Sequence, residues 1–337
     1  MNNCQVSKRG DSTAPRTYRV TVWDLTKKDI VKGFAGDEKL NPHSVWKFFQ
    51  AYATVSNDAD HSLTPEEIAI MCSSNSGEEL HSKIVESMLG KVGLSEKDLA
   101  CGKRNFFRSK RGDDIPNQSY CDCGGKHAGF LTLARLLAKN DAEFHDLAKG
   151  YLDKDGTVQQ EIVAALVRDG LVTDAEVAGW KWEKDGCGAP VPVMQEKTLS
   201  RLYAQLASGS NENLERMFDA AAHNPELIGG KDGRLVTELS IRGIREAGDV
   251  ILKDGFGSVL TLSVRDGDRK LGIVIHDTVQ DNFRDDELTA VLASTLDKLG
   301  LPSESTREVG RELYGQTFSE IQLKDTPREI KEMRGLK

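Results

Sequence analysis

The pattern of apolar and polar positions changes character twice along the chain. Residues 18–24 (YRVTVWD) alternate between apolar and polar side chains and predict a strand, with KGFAG at 32–36 as its hairpin partner. Residues 257–277 predict a second hairpin, because Asp266-Gly267 is a typical turn between two apolar runs. Predicted strands therefore lie toward both ends of the chain.

The long middle has the periodicity of amphipathic helices. Thr64-Pro65 before two glutamates is a typical helix start, and glycine followed by proline ends the last helix. Predicted helices cover 43–52, 63–74, 79–93, 121–140, 158–170, 196–207, 211–223 and 285–302, with loops at 102–119 and 180–191. This order favours an α/β (α+β) fold in which a helical lobe is inserted into a lobe built from both chain ends. A site is expected in the cleft between the lobes.

Length and composition set the boundaries of this fold. A chain of 337 residues with 38% hydrophobic and 29% charged residues can bury a large core. We expect residues 1–17 to be a polar lead-in and 18–302 the folded domain, with the helical lobe over roughly 44–189. Residues 303–337 are expected to be a charged C-terminal segment.

The same figures exclude several classes of protein. A net charge of −8 argues against nucleic-acid binding, and no apolar run reaches membrane-spanning length. The first residues lack the apolar core of a signal peptide, so a cytoplasmic location is predicted. Six cysteines in such a chain are expected to be reduced thiols, some buried and some able to hold metal.

One candidate nucleophile is local in sequence. Ser44 and Lys47 are three residues apart at a predicted helix start, so their side chains share a face. A lysine with a lowered pKa can activate a serine. The same spacing also fits a capping serine followed by a surface lysine.

A second serine–lysine pair is distant in sequence. Ser74 lies in a small, polar segment after an apolar helix, where hydroxyls, the Asn75 amide and backbone N–H groups could hold a carboxylate or an oxyanion. Lys253 follows the apolar run Val250 to Leu252, so its partial burial is plausible. A simple turn and a solvated lysine are the alternatives.

A third group combines thiols and an amine. Cys123 and Lys126 share a small-residue turn at a predicted helix start, and Cys187 lies in a glycine turn beside Asp185. Two thiolates and one nitrogen leave a fourth position open, which fits Zn²⁺ with a bound water. Buried structural cysteines are the alternative; Cys72 and Cys101 are expected to be core thiols, and His127 adds an imidazole beside the candidate ligands.

These segments, in the same order, resemble the rhizobial-type asparaginases, the asparaginase II or thermolabile inducible family. The likeness runs from about residue 18 to 302. The matching segments are Ser44-Val45-Trp46-Lys47, Cys72 to Glu78, Cys101-Gly102, Cys123 to Gly129 and Asp185 to Pro190. The chain departs from the family pattern at His43, Asn75 and Gly124, where arginine, histidine and serine are usual.

The resemblance implies a serine β-lactamase-like amidohydrolase that converts L-asparagine to aspartate and ammonia through an acyl-enzyme. It implies two catalytic serine–lysine pairs, Ser44 with Lys47 and Ser74 with Lys253, and leaves open which serine attacks. It also implies zinc on Cys123, Lys126, Cys187 and water, and a homodimer. Predicted substrate-binding residues are Asn75, His127 and Asp185.

Three other interpretations stay open. The altered flanking residues could fit a different small amide in a specialised pathway. A family member could also bind a ligand without turning it over, although both serines and both lysines are retained. A redox role for Cys121-Asp122-Cys123 is the third of these interpretations.

Overall fold

The structure is a computed structural model. It describes residues 3–8, 15–34, 36–209, 211–231, 234–243, 249–279, 284–319 and 321–326. Its helices and antiparallel sheets form a mixed α/β architecture.

The strands fall near both chain ends, apart from one hairpin in the middle. In chain order they are β1 (Asn3–Lys8), β2 (Arg16–Asp24), β3 (Asp29–Ile30), β4 (Lys39–Leu40), β5 (Lys181–Lys184), β6 (Pro190–Gln195), β7 (Asp249–Gly255), β8 (Val259–Asp266), β9 (Arg269–Asp277) and β10 (Ile321–Thr326). The large sheet has the order β10-β1-β2-β9-β8-β7, with β3 paired to β2, and a small sheet has the order β4-β6-β5. The prediction of a sheet built from both chain ends is confirmed.

The helices fill the segment between these strands and cover the large sheet. They are α1 (Lys47–Ser56), α2 (Pro65–Cys72), α3 (Glu79–Lys91), α4 (Phe106–Arg111), α5 (Gly124–Leu137), α6 (Asp141–Lys149), α7 (Thr157–Arg168), α8 (Asp174–Ala178), α9 (Glu196–Leu206), α10 (Glu212–His223), α11 (Pro225–Ile228), α12 (Leu235–Glu238), α13 (Asp285–Leu299) and α14 (Glu304–Ser319). Short 3-10 turns occupy His43–Trp46, Glu96–Asp98 and Gln118–Tyr120, and a π turn occupies Leu239–Gly243. Every predicted helix has a counterpart here.

Two apolar cores stabilise this arrangement. One lies among the helices and includes Trp46 and Phe49 of the segment that leads into and begins α1. The other lies between the large sheet and α13, where Leu292 packs with Ile273. Since burial of apolar surface is the main favourable term in folding, these cores fix the sheet and the helical lobe.

Helix α9 approaches the large sheet closely. A Cβ built on Gly272 of β9 would lie 1.8 Å from the Ser200 carbonyl oxygen, so only glycine allows this contact. The Ser200 hydroxyl donates to the Gly272 carbonyl at 2.7 Å. The chain thereby fixes the helical lobe against the strands that carry part of the site.

Four sequence predictions differ from the structure. Part of the expected lead-in, 1–17, forms β1, which pairs with both β2 and β10 because strand edges satisfy their backbone groups by pairing. The segment after 302 contains α14 and β10. The hairpin partner that follows β2 is β3 (Asp29–Ile30) rather than residues 32–36, of which residue 35 lies outside the described residues. The predicted loop 180–191 contains β5 and the start of β6.

Candidate active site

A cavity of about 540 Å³ opens where the helical lobe meets the end of β7. Its walls combine hydroxyl, carboxylate, guanidinium and aromatic groups. The lining residues are His43, Ser44, Ser74, Arg104, Asn105, Phe106, Phe107, Ser109, Asp122, Cys123, Asp185, Gly186, Asp254, Gly255 and Phe256. Ser44, Ser74, Cys123 and Asp185 among the predicted site residues therefore face one space.

The Ser74 hydroxyl bridges two buried lysines at this cavity. Lys47 Nζ lies 3.0 Å from Ser74 Oγ, and Lys253 Nζ lies 2.8 Å from the same oxygen. Lys47 begins α1, Ser74 follows the end of α2, and Lys253 lies on β7, so three separate elements meet at one oxygen. Ser74 and Lys253, which the resemblance pairs, thus lie within hydrogen-bond distance, and Lys47 joins them.

The remaining contacts of the two amines differ. Lys47 Nζ donates to the Ser73 carbonyl at 2.6 Å and to the Asp122 carbonyl at 3.2 Å. Lys253 Nζ contacts the carbonyl oxygen of Asp254 at 2.7 Å and its Oδ1 at 2.8 Å. Each amine therefore has two acceptors in addition to the Ser74 hydroxyl.

The surroundings of Lys253 favour its neutral form. Burial lowers the pKa of Lys253 to about 8, and the nearby Lys47 and Arg234 cations add to this lowering, whereas the Asp254 carboxylate opposes it. A buried amine with such a pKa can serve as a base near neutral pH.

Arg234 is a site residue that the sequence analysis missed. Its Nη1 donates to the Ser74 carbonyl at 3.0 Å, and its Nη2 donates to Asp254 Oδ2 at 2.8 Å. Its guanidinium also lies 3.4 Å from the centre of the Phe107 ring. Arg234 thus connects the Ser74 segment with the carboxylate that holds Lys253. The polar run around it carries no periodicity that could have indicated burial.

Ser44 lies at the wall of the cavity in a half-buried position. It belongs to a 3-10 turn that leads directly into α1. In the part of the chain that the structure describes, no hydrogen bond joins its hydroxyl to Lys47. The predicted pairing of Ser44 with Lys47 therefore stays a prediction, because the Lys47 amine contacts residues 73, 74 and 122 instead.

The backbone N–H groups around Ser74 already have acceptors. The Ser74 N–H donates to the Ile228 carbonyl at 3.0 Å, and the Ser76 N–H donates to the Gly229 carbonyl at 2.9 Å. The Gly77 N–H is held by the Asn75 side-chain oxygen at 2.9 Å. These amides hold the segment in place and do not point to an oxyanion site.

A cluster of sulfur and oxygen ligands lies at another part of the cavity wall. One ligand atom each from Cys123, Asp185 and Cys187 lies within 4.8 Å of the others. Lys126 Nζ lies 3.0 Å from Cys187 Sγ and 3.2 Å from Asp185 Oδ2. Two thiols, one carboxylate and one amine are thus brought together, and the carboxylate belongs to a residue that the sequence analysis assigned to substrate binding.

The charges in this cluster stabilise one another. Burial lowers the pKa of Lys126, but Cys187, Cys123 and Asp185 outweigh it and raise that pKa well above its usual value. A hydrogen bond from Cys123 lowers the pKa of Cys187 to about 6, although burial opposes this, and the Lys126 cation adds to the lowering. The cluster therefore favours a thiolate next to an ammonium.

Close helix packing places this cluster. A Cβ built on Gly125 would lie 2.0 Å from the Ile70 carbonyl oxygen, so α5 can pack on α2 only with glycine there. Cys123 and Lys126 flank this contact, which sets their distance from the Ser74 segment after α2.

Two predicted substrate-binding residues lie behind the cavity wall. The Asn75 amide is buried and donates to the Ser73 hydroxyl at 3.0 Å. His127 is buried, its Nδ1 lies 2.8 Å from the Tyr151 hydroxyl, and burial lowers its pKa to about 3. Neither residue lines the described cavity, so in this structure both make their contacts within the protein interior. Cys72 and Cys101 are buried, as expected of core thiols.

Fold and site together define a mixed α/β protein with a serine–lysine centre beside a thiol cluster. The L-asparaginase II family model matches residues 13–326, and the chain belongs to that family. Membership of this family supports a hydrolase; the rhizobial-type subtype stays a prediction.

No curated protein matches the chain. A solved crystal structure of L2 complexed with relebactam is 14% identical to it, over 88% of this chain and 91% of that chain, with a TM-score of 0.41. This likeness is too low to carry an argument. In the described residues, no helix is both long and apolar enough to cross a bilayer.

Proposed function

We propose that this protein is an amidohydrolase that cleaves the side-chain amide of L-asparagine through an acyl-serine intermediate, as the rhizobial-type asparaginases do. The observation that carries the proposal is the Ser74 hydroxyl held between the Lys47 and Lys253 amines, at 3.0 and 2.8 Å, beside a cavity that Ser44 also lines. Membership of the L-asparaginase II family supports the choice of substrate.

Ser44 fits the role of nucleophile better than Ser74. Ser74 is only 7% exposed, and its oxygen already contacts two amines. Ser44 is more exposed and lines the same cavity, so a substrate carbonyl can approach it. Lys47 is three residues further along, and in this proposal its amine turns toward Ser44 when substrate binds, because catalytic hydrogen bonds often tighten only then.

Ser74 fits the role of proton relay. Its O–H can donate to one amine while its oxygen accepts from the other, and reversal of both bonds moves a proton from Lys47 to Lys253. In our mechanism Lys47 takes the Ser44 proton, the Ser44 oxygen bonds to the amide carbon, and Ser74 passes the proton on. The C–N bond then breaks, ammonia leaves with a returned proton, and water cleaves the ester to release aspartate.

The oxyanion needs donors from the Ser44 side of the cavity. The amides of Ser74 and Ser76 are engaged with chain carbonyls, so they are not available to it. Backbone N–H groups aimed at the developing charge would contribute a large share of the rate.

The thiol cluster fits a zinc site. Cys123 and Cys187 offer the sulfur ligands that zinc prefers, and the Asp185 carboxylate lies within 4.8 Å of both. Lys126 could complete the set only as a neutral amine, so metal affinity should rise with pH. A bound zinc would act as a Lewis acid or orient a polar group of the substrate.

The test compares two serine variants for ammonia release from L-asparagine. Ser44→Ala should remove turnover and any acyl adduct detected by mass spectrometry. Ser74→Ala should slow turnover by about 10²–10⁴-fold, the range of a lost proton-transfer group, while the adduct still maps to Ser44. Near-normal ammonia release by Ser44→Ala would contradict the proposal, and an adduct on Ser74 would reverse the two roles.

Assembly and location extend the same proposal. The family resemblance supports a homodimer in the cytoplasm. Light scattering of the purified chain measures its oligomeric state, and a monomer at micromolar concentration would refute the homodimer.

A further inference from the structure

We propose that the cavity accepts amides that carry an apolar group of aromatic size, and that Phe256 and Phe106 select for this group. The inference rests on the proposed amide hydrolysis and adds a second substrate class beside asparagine. The supporting observations are the side chains of the cavity wall and the volume that they enclose.

Three phenylalanines line the cavity. Phe106 and Phe107 come from the start of α4, with their rings edge to face at a centroid distance of 5.3 Å. Phe256 follows the end of β7 and is 50% exposed, and Phe106 is 45% exposed. Large apolar side chains with this exposure at the cavity gain free energy when a ligand covers them.

The aromatic residues are held in place by their neighbours. The His43 ring packs edge to face on Phe256 at 5.6 Å, and Arg234 lies over Phe107 at 3.4 Å. His43 and Ser258 both have a left-handed backbone, with φ of 47° and 55°. Such a conformation in residues other than glycine persists only where the surrounding structure enforces it. His43 and Arg234 therefore position the Phe256 and Phe107 rings at the cavity that Ser44 and Ser74 line.

Volume and polarity both fit a substrate larger than asparagine. A cavity of about 540 Å³ lies within the range of about 300–1,000 Å³ that is typical of drug-sized ligands. The charged ammonium and carboxylate of asparagine are suited to the polar part of the wall, which leaves the phenylalanine part of the cavity without an apolar contact. An aromatic or branched aliphatic group instead gains from such a contact.

The carboxylates of the cavity do not reverse this preference. Asp254 is bound by Lys253 and Arg234, each at 2.8 Å, and Asp185 is bound by Lys126 at 3.2 Å. Each of these two carboxylates therefore has a cationic partner within the protein, Arg234 for Asp254 and Lys126 for Asp185. Asp122 and Arg104 add one charge of each sign to the wall, so its charged part and its phenylalanine part can contact different groups of one substrate.

The apolar group can lie on the acyl side or on the nitrogen side of the amide, and the experiment separates them. We compare kcat/KM for acetamide, phenylacetamide, N-benzylacetamide and L-asparagine by release of ammonia or benzylamine. At least one aromatic amide should exceed acetamide by about tenfold or more, since a buried phenyl group adds this much binding. The aromatic amide with the increased kcat/KM shows whether the apolar group binds on the acyl side or on the nitrogen side of the amide.

Substitutions of Phe256 and Phe106 show which of these residues causes the preference for an aromatic amide. Phe256→Ala and Phe106→Ala should each reduce the ratio of the better aromatic amide to acetamide several-fold, whereas Phe256→Leu should retain part of it. Leu136→Ala, at a 39% exposed leucine of α5, is the matched control and should leave the ratio unchanged. A ratio at or below one for both aromatic amides, or a ratio that neither alanine variant changes, overturns the proposal.

The outcomes separate this inference from the proposed function. Turnover of acetamide or asparagine without an aromatic preference refutes only the inference. If no amide is hydrolysed, the proposed function fails, and calorimetric titration with phenylacetamide decides on the cavity alone. Absence of binding, or equal binding by wild type and Phe256→Ala, then overturns the inference, whereas weaker binding by the variant supports it.

Discussion

Two regions of the site each contain a buried lysine, and the two lysines differ in the sign of their pKa shift. Burial lowers the pKa of Lys253 to about 8; the single Asp254 carboxylate opposes this, and the Lys47 and Arg234 cations offset part of its effect. Burial has the same effect on Lys126, but two thiols and the Asp185 carboxylate raise its pKa well above the usual value. The protonation state therefore depends on the balance between burial and the neighbouring anions: burial prevails over one carboxylate at Lys253, and three anionic groups prevail over burial at Lys126.

The difference assigns different chemistry to the two regions. Lys253 lies next to a hydroxyl and can exchange a proton with it near neutral pH. Lys126 is an ammonium in a cluster of anions and can act as a base or ligand only after it loses its proton, which a metal ion bound at the amine would displace to solvent. We therefore expect proton transfer in the first region and charge stabilisation or metal binding in the second.

Replacement of Lys253 should give the largest effect. Lys253→Met removes one end of the relay through Ser74, so kcat should fall by about 10²–10⁴-fold, the usual share of general acid–base catalysis. Lys83→Met, at an exposed lysine of α3 that pairs with Glu79, is the matched control and should retain activity. Thermal unfolding checks that both variants fold. A Lys253→Met enzyme with more than a tenth of the original kcat would remove Lys253 from the mechanism.

Replacement of Lys126 should give an intermediate effect. If Lys126 is a metal ligand, Lys126→Met and Lys126→Arg should both lose bound zinc and lower activity by about 10–100-fold, because arginine cannot give up its proton. If Lys126 serves only as a cation for Asp185 and Cys187, Lys126→Arg should keep activity. Metal analysis and kinetics of the same samples distinguish these results. A loss as large as that of Lys253→Met would abolish the contrast between the two regions.

Local patterns in the sequence predict the elements well and the contacts of the site less well. Periodicity gave the helices, and the apolar run before Lys253 indicated its burial, which the structure confirms. The contacts of the Lys47 amine with Ser73, Ser74 and Asp122 depend on how α1, α2 and α5 pack against one another. A short stretch of sequence does not contain that information.

The same limit applies to residues that carry no periodic signal. Arg234 contacts the Ser74 carbonyl across 160 residues of sequence, within a polar run that resembles a solvated loop. Strand β1 lies within the predicted lead-in, and its pairing with β10 at the opposite end of the described chain is not visible in the local pattern. Long-range pairing of this kind leaves no trace in a short window.

The smallest expected effect concerns pH, and it tests the cause of the Lys253 shift. Since its pKa is lowered to about 8, the neutral amine is lost as pH falls through that value, and kcat/KM should decline on the acidic side of it. Arg234 is one of the cations that lower this pKa, so Arg234→Gln should move the acidic limb to higher pH and reduce activity a few-fold near neutrality. Arg234→Lys keeps a positive charge next to Asp254 and should restore part of the shift, which a purely structural role would not predict. A limb at the same pH in wild type and Arg234→Gln would mean that Arg234 does not contribute to the Lys253 pKa.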